Sequence, residues 1–233
     1  MLNFLASTLA LMANAAAVIQ PDSPLVTAPS QAEQVWRFQV YVDDKPVGVH
    51  EYRLQQQGEH QVLSSIADFE YKLMFVTLYN YEHRNQEVWQ DGCLTSIDSS
   101  TDANGKDYAV TGKNSDLGFM LLGNKGEAVL PGCVMSFAYW NPQFLQASQL
   151  LNTQNGDYLE VAVSEPAMER FLVQGQEMLA QRYQLTAKKL ELDLWYSEKG
   201  AWLGLESVYE GGRTLRYELL SPPTALQQEF AGL

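Results

Sequence analysis

Tyr79, Tyr81, His83, Arg84 and Glu87 form the densest group of side chains able to move protons. Successive residues of a strand point to opposite faces, so Tyr79, Tyr81 and His83, spaced by two, share one face. An imidazole beside phenols and a carboxylate has the parts of a general acid–base site, with Tyr81, His83 and Glu87 as the catalytic candidates. The same spacing describes a barrel wall in which hydroxyls and ring nitrogens bond to neighbouring strands. His50 and Glu51 are adjacent and therefore point away from each other on one strand. Asp193, between Leu192 and Leu194, reads as a solvated or cross-strand-paired carboxylate. The sequence contains no Gly-x-Ser-x-Gly elbow, phosphate loop, dinucleotide fingerprint or paired-His helix. No cofactor is implied.

A second group lies in Ala128–Gly156, 29 residues without Asp, Glu, Lys or Arg in a chain that is 18% charged. Phe137, Tyr139, Trp140 and Phe144, together with Tyr79, are candidates to line or gate a cavity for an apolar or lipid-like ligand. They are equally suited to filling a core. Gln143, Gln146, Gln149 and Asn152 would offer neutral polar contacts without burying a charge. Asn141-Pro142 makes a good helix start, because Asn caps and proline has no N–H to leave unpaired. Phe144, Ala147, Ser148 and Leu151 then fall on one helical face, giving a helical insert over about residues 134–152.

The elements around these groups read as antiparallel strands. Trp36, Phe38, Val40 and Val42 alternate with Arg37, Gln39, Tyr41 and Asp43, the period of a half-buried strand. The Asp43–Pro46 stretch turns the chain, and Val47–Gln55 returns as the second arm of a hairpin. His60–Phe69 follows. Tyr71–Trp89 is too long for one ordinary strand and is expected to bend or break near Tyr79–His83. Asp91-Gly92 and Asn104-Gly105 are hairpin turns bracketing Cys93–Thr101 and leading into Lys106–Lys113. Gly118, Gly123 and Gly126 read as a looser connection. Beyond the insert, Tyr158–Val163, Met168–Val173, Met178–Ala187, Leu190–Tyr196, Ala201–Tyr209 and Thr214–Leu220 form a meander that ends at Pro222-Pro223. The expectation is a mainly β fold, an antiparallel barrel or half-barrel of about 11–12 strands with one short helical insert.

The bulk numbers bound the function. At 233 residues with net charge −13, one β domain is expected, and nucleic acid is not a partner because the acidic surface repels phosphates. The apolar run Leu2–Ala13 followed by Ala13-Asn14-Ala15 reads as a signal peptide over residues 1–15, although the segment before it lacks Lys and Arg. The run is too short to span a bilayer comfortably, so no transmembrane segment is expected once it is removed. Residues 16–34, with three prolines, read as a flexible linker, residues 35–220 as the domain and 221–233 as a tail. Export places the protein in the periplasm or outside the cell. There Cys93 and Cys133 can pair, closing a loop worth about 4 kcal/mol; two separate buried thiols are the other reading. Two cysteines and three histidines have no metal-ligand spacing.

VWRFQVYVDDKPVGVHEYRL, YNYEHRNQEVWQDGCL with SSTDANG, LPGCVMSFAYWNPQFL, and DLWYSEKGAWLGLES with GRTLRYEL together resemble an uncharacterised family of exported bacterial proteins, domain of unknown function 6134. The matching pieces span about Val35–Leu220. The first hairpin and the last meander are more distantly similar to periplasmic β-barrel families and to the half-barrels of outer-membrane lipoprotein carriers. That likeness implies a barrel or half-barrel plugged by Val134–Leu151, and it implies no catalytic residues. The reading that follows is a non-enzymatic periplasmic carrier of an apolar ligand. The alternatives are an envelope assembly or interaction module with a packed interior and a protein partner, and an enzyme built around His83.

Overall fold

The computed structural model describes residues 33–73, 76–208 and 212–230, without the side chains of Leu73, Val76, Ala225 and Gln228. The expected signal peptide and all but the last two residues of the linker lie outside the described residues. Fifteen strands make a single antiparallel sheet. They are β1 (Gln34–Val42), β2 (Lys45–Gln57), β3 (His60–Leu73), β4 (Val76–Gln90), β5 (Cys93–Ala103), β6 (Asp107–Ser115), β7 (Gly118–Gly123) and β8 (Gly126–Leu130). After the insert come β9 (Gln149–Leu151), β10 (Tyr158–Val163), β11 (Ala167–Val173), β12 (Gln176–Ala187), β13 (Leu190–Ser197), β14 (Trp202–Val208) and β15 (Thr214–Ser221). β1 to β8 follow one another as a meander. β1 also pairs with β15, and from there the sheet runs back through β14, β13 and β12 to β10 and β9.

The alternation read from the sequence sets the inner face. Trp36, Phe38 and Val40 are buried on β1; Leu192, Leu194 and Tyr196 on β13; Tyr217 and Leu219 on β15. Asp91 and Gly92, and Asn104 and Gly105, all have positive φ, the conformation that two-residue hairpin turns require. Three strands exceed the expected count. β7 and β8 occupy the stretch read as a loose connection, because Gly118 and Gly123 sit at strand ends where a Cβ would collide. A Cβ on Gly123 would lie 2.9 Å from the Gly156 Cα, where two turns touch. The third is β9, inside the insert. The bend or break expected near Tyr79–His83 instead falls between Leu73 and Val76, where β3 ends and β4 begins, so β4 runs uninterrupted past His83.

The insert is mostly irregular rather than helical. Asn141 caps as anticipated, its side chain accepting from the Gln143 N–H, but a 3₁₀ helix ends after Gln146. The next residues find partners across space instead of along a helix. Ser148 O accepts from Val161 N, and Leu151 N donates to Met135 O. The insert threads the inner side of the sheet. Trp140 meets Trp89 of β4 edge-on, while Tyr139 packs on Trp202 of β14, so walls far apart in the strand order close on the same segment. The β11–β12 hairpin covers part of the outer face, with Phe171 stacked on Trp195 and the Gln174 side chain bonded to Leu220 O. A short helix, α1 (Thr224–Phe230), stands where a tail was expected.

Candidate functional site

The three catalytic candidates do share the inner face of β4, but they do not form one site. Asn85 lies between His83 and Glu87, and each candidate is tied elsewhere. Tyr81 stacks on Phe69 and on His83, and its hydroxyl reaches the Gln154 side chain. His83 Nδ1 lies 2.8 Å from Thr101 Oγ1. Burial holds the His83 imidazole down at about 4, so it stays neutral and is a poor base near pH 7.

Glu87 is 1% exposed. It accepts from Asn85 Nδ2 at 3.0 Å, Ser136 Oγ at 3.1 Å and Trp89 Nε1 at 2.8 Å. Burial pushes its carboxyl above the usual range, and the three donors only partly offset that. Every described contact of this carboxyl is structural.

The pairing of β2 with β3 builds a cluster that spacing alone conceals. His50 Nε2 lies 2.7 Å from Ser65 Oγ, and Nδ1 lies 3.1 Å from the hydroxyls of both Tyr52 and Tyr217. This resembles a nucleophile–base pair in its spacing. Burial keeps the Tyr52 phenol protonated, and a phenol can donate to Nδ1 or accept from it, so the contacts fit both tautomers of the ring. Burial, together with the nearby His83, lowers the pKa of His50 well below its ordinary value. Spacing by two is the signal that puts Tyr52 on the face of His50, whereas Ser65 and Tyr217 join them only through strand register.

The insert's rings divide between core and rim. Phe144 is fully buried, and Tyr139 packs between it and Trp202 while its carbonyl accepts from the Tyr196 hydroxyl. Phe137 is half-buried beside Tyr139. Tyr79 is exposed at the opposite end of the sheet. Of the five candidates, Trp140 lines open clefts. Two adjoining clefts of about 340 and 430 Å³ share Gln34, Trp36 and Trp140. One adds Gln61, Asn141, Pro142 and Gln143; the other adds Lys199, Pro223 and Glu229. The indole N–H groups of Trp36 and Trp140 are buried at this floor without an acceptor. Trp36 read as plain core from its alternation, and no sequence signal set it apart. The same end carries the Cys93–Cys133 disulfide, which ties the start of the insert to β5. Among the described residues no group of three or more His, Cys, Asp or Glu side chains is placed to hold a metal ion.

The sequence matches the family described as Domain of unknown function (DUF6134) over residues 38–220. The chain belongs to that family. No curated protein matches this DUF6134 chain. It is similar to the crystal structure of a beta-barrel-like protein of domain of unknown function DUF1849 from Brucella abortus. The TM-score is 0.55 at 9% identity, covering 82% of this chain and 96% of that one, which shows a common fold alone. The DUF6134 chain is thus barrel-like and antiparallel, with its disulfide formed. No helix among its described residues is long and apolar enough to cross a membrane.

Proposed function

We propose that the protein is an exported, non-enzymatic interaction module with a packed interior, and that it binds an extended polypeptide segment at the Trp36–Trp140 end. One observation carries this reading: two open clefts meet over a pair of indoles whose N–H groups have no acceptor. Both N–H groups are shut off from solvent, so a partner carbonyl reaches them only if the indoles turn toward it, which would recover the cost of a buried unpaired donor, about 1–3 kcal/mol. Peptide backbone supplies carbonyls at regular intervals. The carboxamides of Gln34, Gln61 and Gln143 match peptide groups without burying a charge. The inside of the sheet, where a carried ligand would sit, is occupied by Phe144, Leu150, Leu151 and Trp202, all fully buried.

Carriage of an apolar ligand is the second reading. It is favoured by the ring surfaces of Trp36 and Trp140 beside Leu54 in the first cleft. Panning a library of linear peptides against the intact protein separates the two. The expected outcome is a set of peptides whose binding changes tryptophan fluorescence and weakens roughly tenfold in Trp140→Ala, the effect of losing an aromatic anchor. Failure to enrich any peptide, with a stoichiometric amphiphile seen by native mass spectrometry, would overturn it in favour of carriage.

A further inference from the structure

The two ends of the sheet differ in charge. At the cleft end, residues 58–59, 91–92, 116–117 and 198–201 join successive strands, and α1 follows β15. These connections carry Glu59, Asp91, Asp116 and Glu198, with Lys199 as their one cation, and α1 adds Glu229. None of these acids has an ion-pair partner among the described residues. Glu33, at the same end, is already met by Arg53 at 3.1 Å. The connections at the far end carry Lys106, Lys125, Lys188, Lys189 and Arg213. Acids there are answered: Asp43 pairs with Arg213, Asp44 with Arg216 and Asp157 with Lys125.

We infer that the polypeptide taken at the Trp36–Trp140 end is basic, with a lysine or arginine side chain set against Glu229. The partner so named rests on the polypeptide reading above and adds its charge. Acids alone would mark no site, but these border two open clefts with an aromatic floor. Asp91 adjoins Gly92, Glu59 is two residues from Gln61, and Glu198 adjoins Lys199; Gly92, Gln61 and Lys199 all line the clefts. Glu229 itself lines the second cleft with Trp36 and Trp140. It is half-buried, so a carboxylate is held partly out of water without a counter-charge. A cation entering there meets that carboxylate and the half-buried Trp140 ring, whose negative face also attracts it.

The field of the whole chain acts in the same sense. A net charge of −13 draws in a basic segment and repels an acidic one. The cations at the far end turn that attraction toward the clefts, so charge selects the partner and orients its approach. Lys199 does not reverse the sign: it is exposed, and Glu198 and Glu229 outnumber it. The carboxamides of Gln34, Gln61 and Gln143 keep the first cleft neutral for peptide groups, which leaves the charges to the border. An acidic segment would set its carboxylates beside Glu229 and Asp91. An uncharged apolar ligand would leave every one of these acids unanswered.

The test uses the full chain, immobilised, and pools of short random linear peptides that differ only at fixed positions occupied by arginine, glutamine or glutamate. At low salt the arginine pool is expected to be retained roughly tenfold more strongly than the glutamate pool, and the gap should narrow at high salt. Glu229→Gln and, separately, Asp91→Asn should each weaken retention of the arginine pool roughly threefold, the worth of one exposed ion pair, and leave the glutamine pool unchanged. Glu191→Gln removes the same charge from the exposed face of β13 at the far end and should change neither pool. Equal retention of the arginine and glutamine pools would overturn the basic partner and leave the polypeptide reading standing. A loss in Glu191→Gln as large as in Glu229→Gln would overturn the placement at the cleft, because net charge alone would then explain the preference. Retention of no pool would remove the polypeptide reading and the basic partner together.

Discussion

Ser136 Oγ donates to Glu87 Oε1 across 3.1 Å, so the insert is pinned to the wall of the sheet through a buried carboxyl. The same carboxyl holds Asn85 and Trp89 in place. Glu87→Leu would strand all three donors and should destabilise the fold by about 3 kcal/mol, the cost of unmaking bonds around a buried polar group. Glu87→Gln keeps the shape and, with its one oxygen at the Oε1 position, two of the three bonds, and should cost roughly 1 kcal/mol. Urea midpoints measure both; equal midpoints for the two variants would mean the pin carries nothing.

His50, His83 and Glu87 give the fold a pH dependence of known sign. Both histidines have folded pKa values below the ordinary 6.5, His83 at about 4. Between those values the unfolded chain binds protons that the folded chain refuses, so stability is complete above pH 6.5 and falls as pH drops toward 4. For His83 alone the loss amounts to about 3 kcal/mol. Glu87 acts oppositely: its raised pKa lets the folded state hold a proton that the unfolded state has released, so its contribution falls as pH rises above the ordinary carboxylate range. His83→Asn should flatten the acid-side decline in unfolding free energy, and Glu87→Gln should steepen it. An unchanged slope in His83→Asn would disprove the assignment.

What the sequence revealed and what it hid follows from the range of the interactions. Alternation is local, so the inward faces of Trp36, Phe38 and Val40 and of Leu192, Leu194 and Tyr196 were readable. So were Asp91-Gly92 and Asn104-Gly105, where the turn itself demands positive φ. Asp193 was read as paired or solvated, and it meets Arg182 at 2.8 Å across the β12–β13 ladder. The helix after Asn141 stops short because Ser148 and Leu151 satisfy their backbone on Val161 and Met135, contacts that no spacing rule contains. The His50–Ser65 contact and the Trp36–Trp140 floor depend on register and chain reversal, which residue types alone do not set.

The disulfide fastens the entry of the insert beside β5, where Leu94 N also donates to Val134 O at 2.9 Å. Loop closure of this size is worth about 4 kcal/mol in the chain-entropy model. Cys93→Ser with Cys133→Ser should lower the urea midpoint accordingly and loosen the Trp36–Trp140 end first. Hydrogen exchange of the amides at Leu94 and Phe144 is the local readout. Uniform loss of protection across the sheet would mean that the bond stabilises the chain without holding this end.

Gly204 on β14 is where the outer hairpin seats. A Cβ there would lie 2.9 Å from the Phe171 ring and 3.1 Å from Tyr217 O. The ring has little room to retreat, because it is stacked on Trp195 at 4.7 Å, and Trp195 Nε1 is held by Glu169 at 2.6 Å. Gly204→Val should therefore lift the β11–β12 hairpin, exposing Leu203 and Met178, at a cost of about 2–3 kcal/mol for overpacking. Limited proteolysis should then cut between Ala167 and Gln176 while β1 to β6 stay intact. The rescue is Phe171→Ala in the same chain, which frees the space: if the double variant is no more resistant than Gly204→Val alone, steric conflict with Phe171 is not what the glycine avoids.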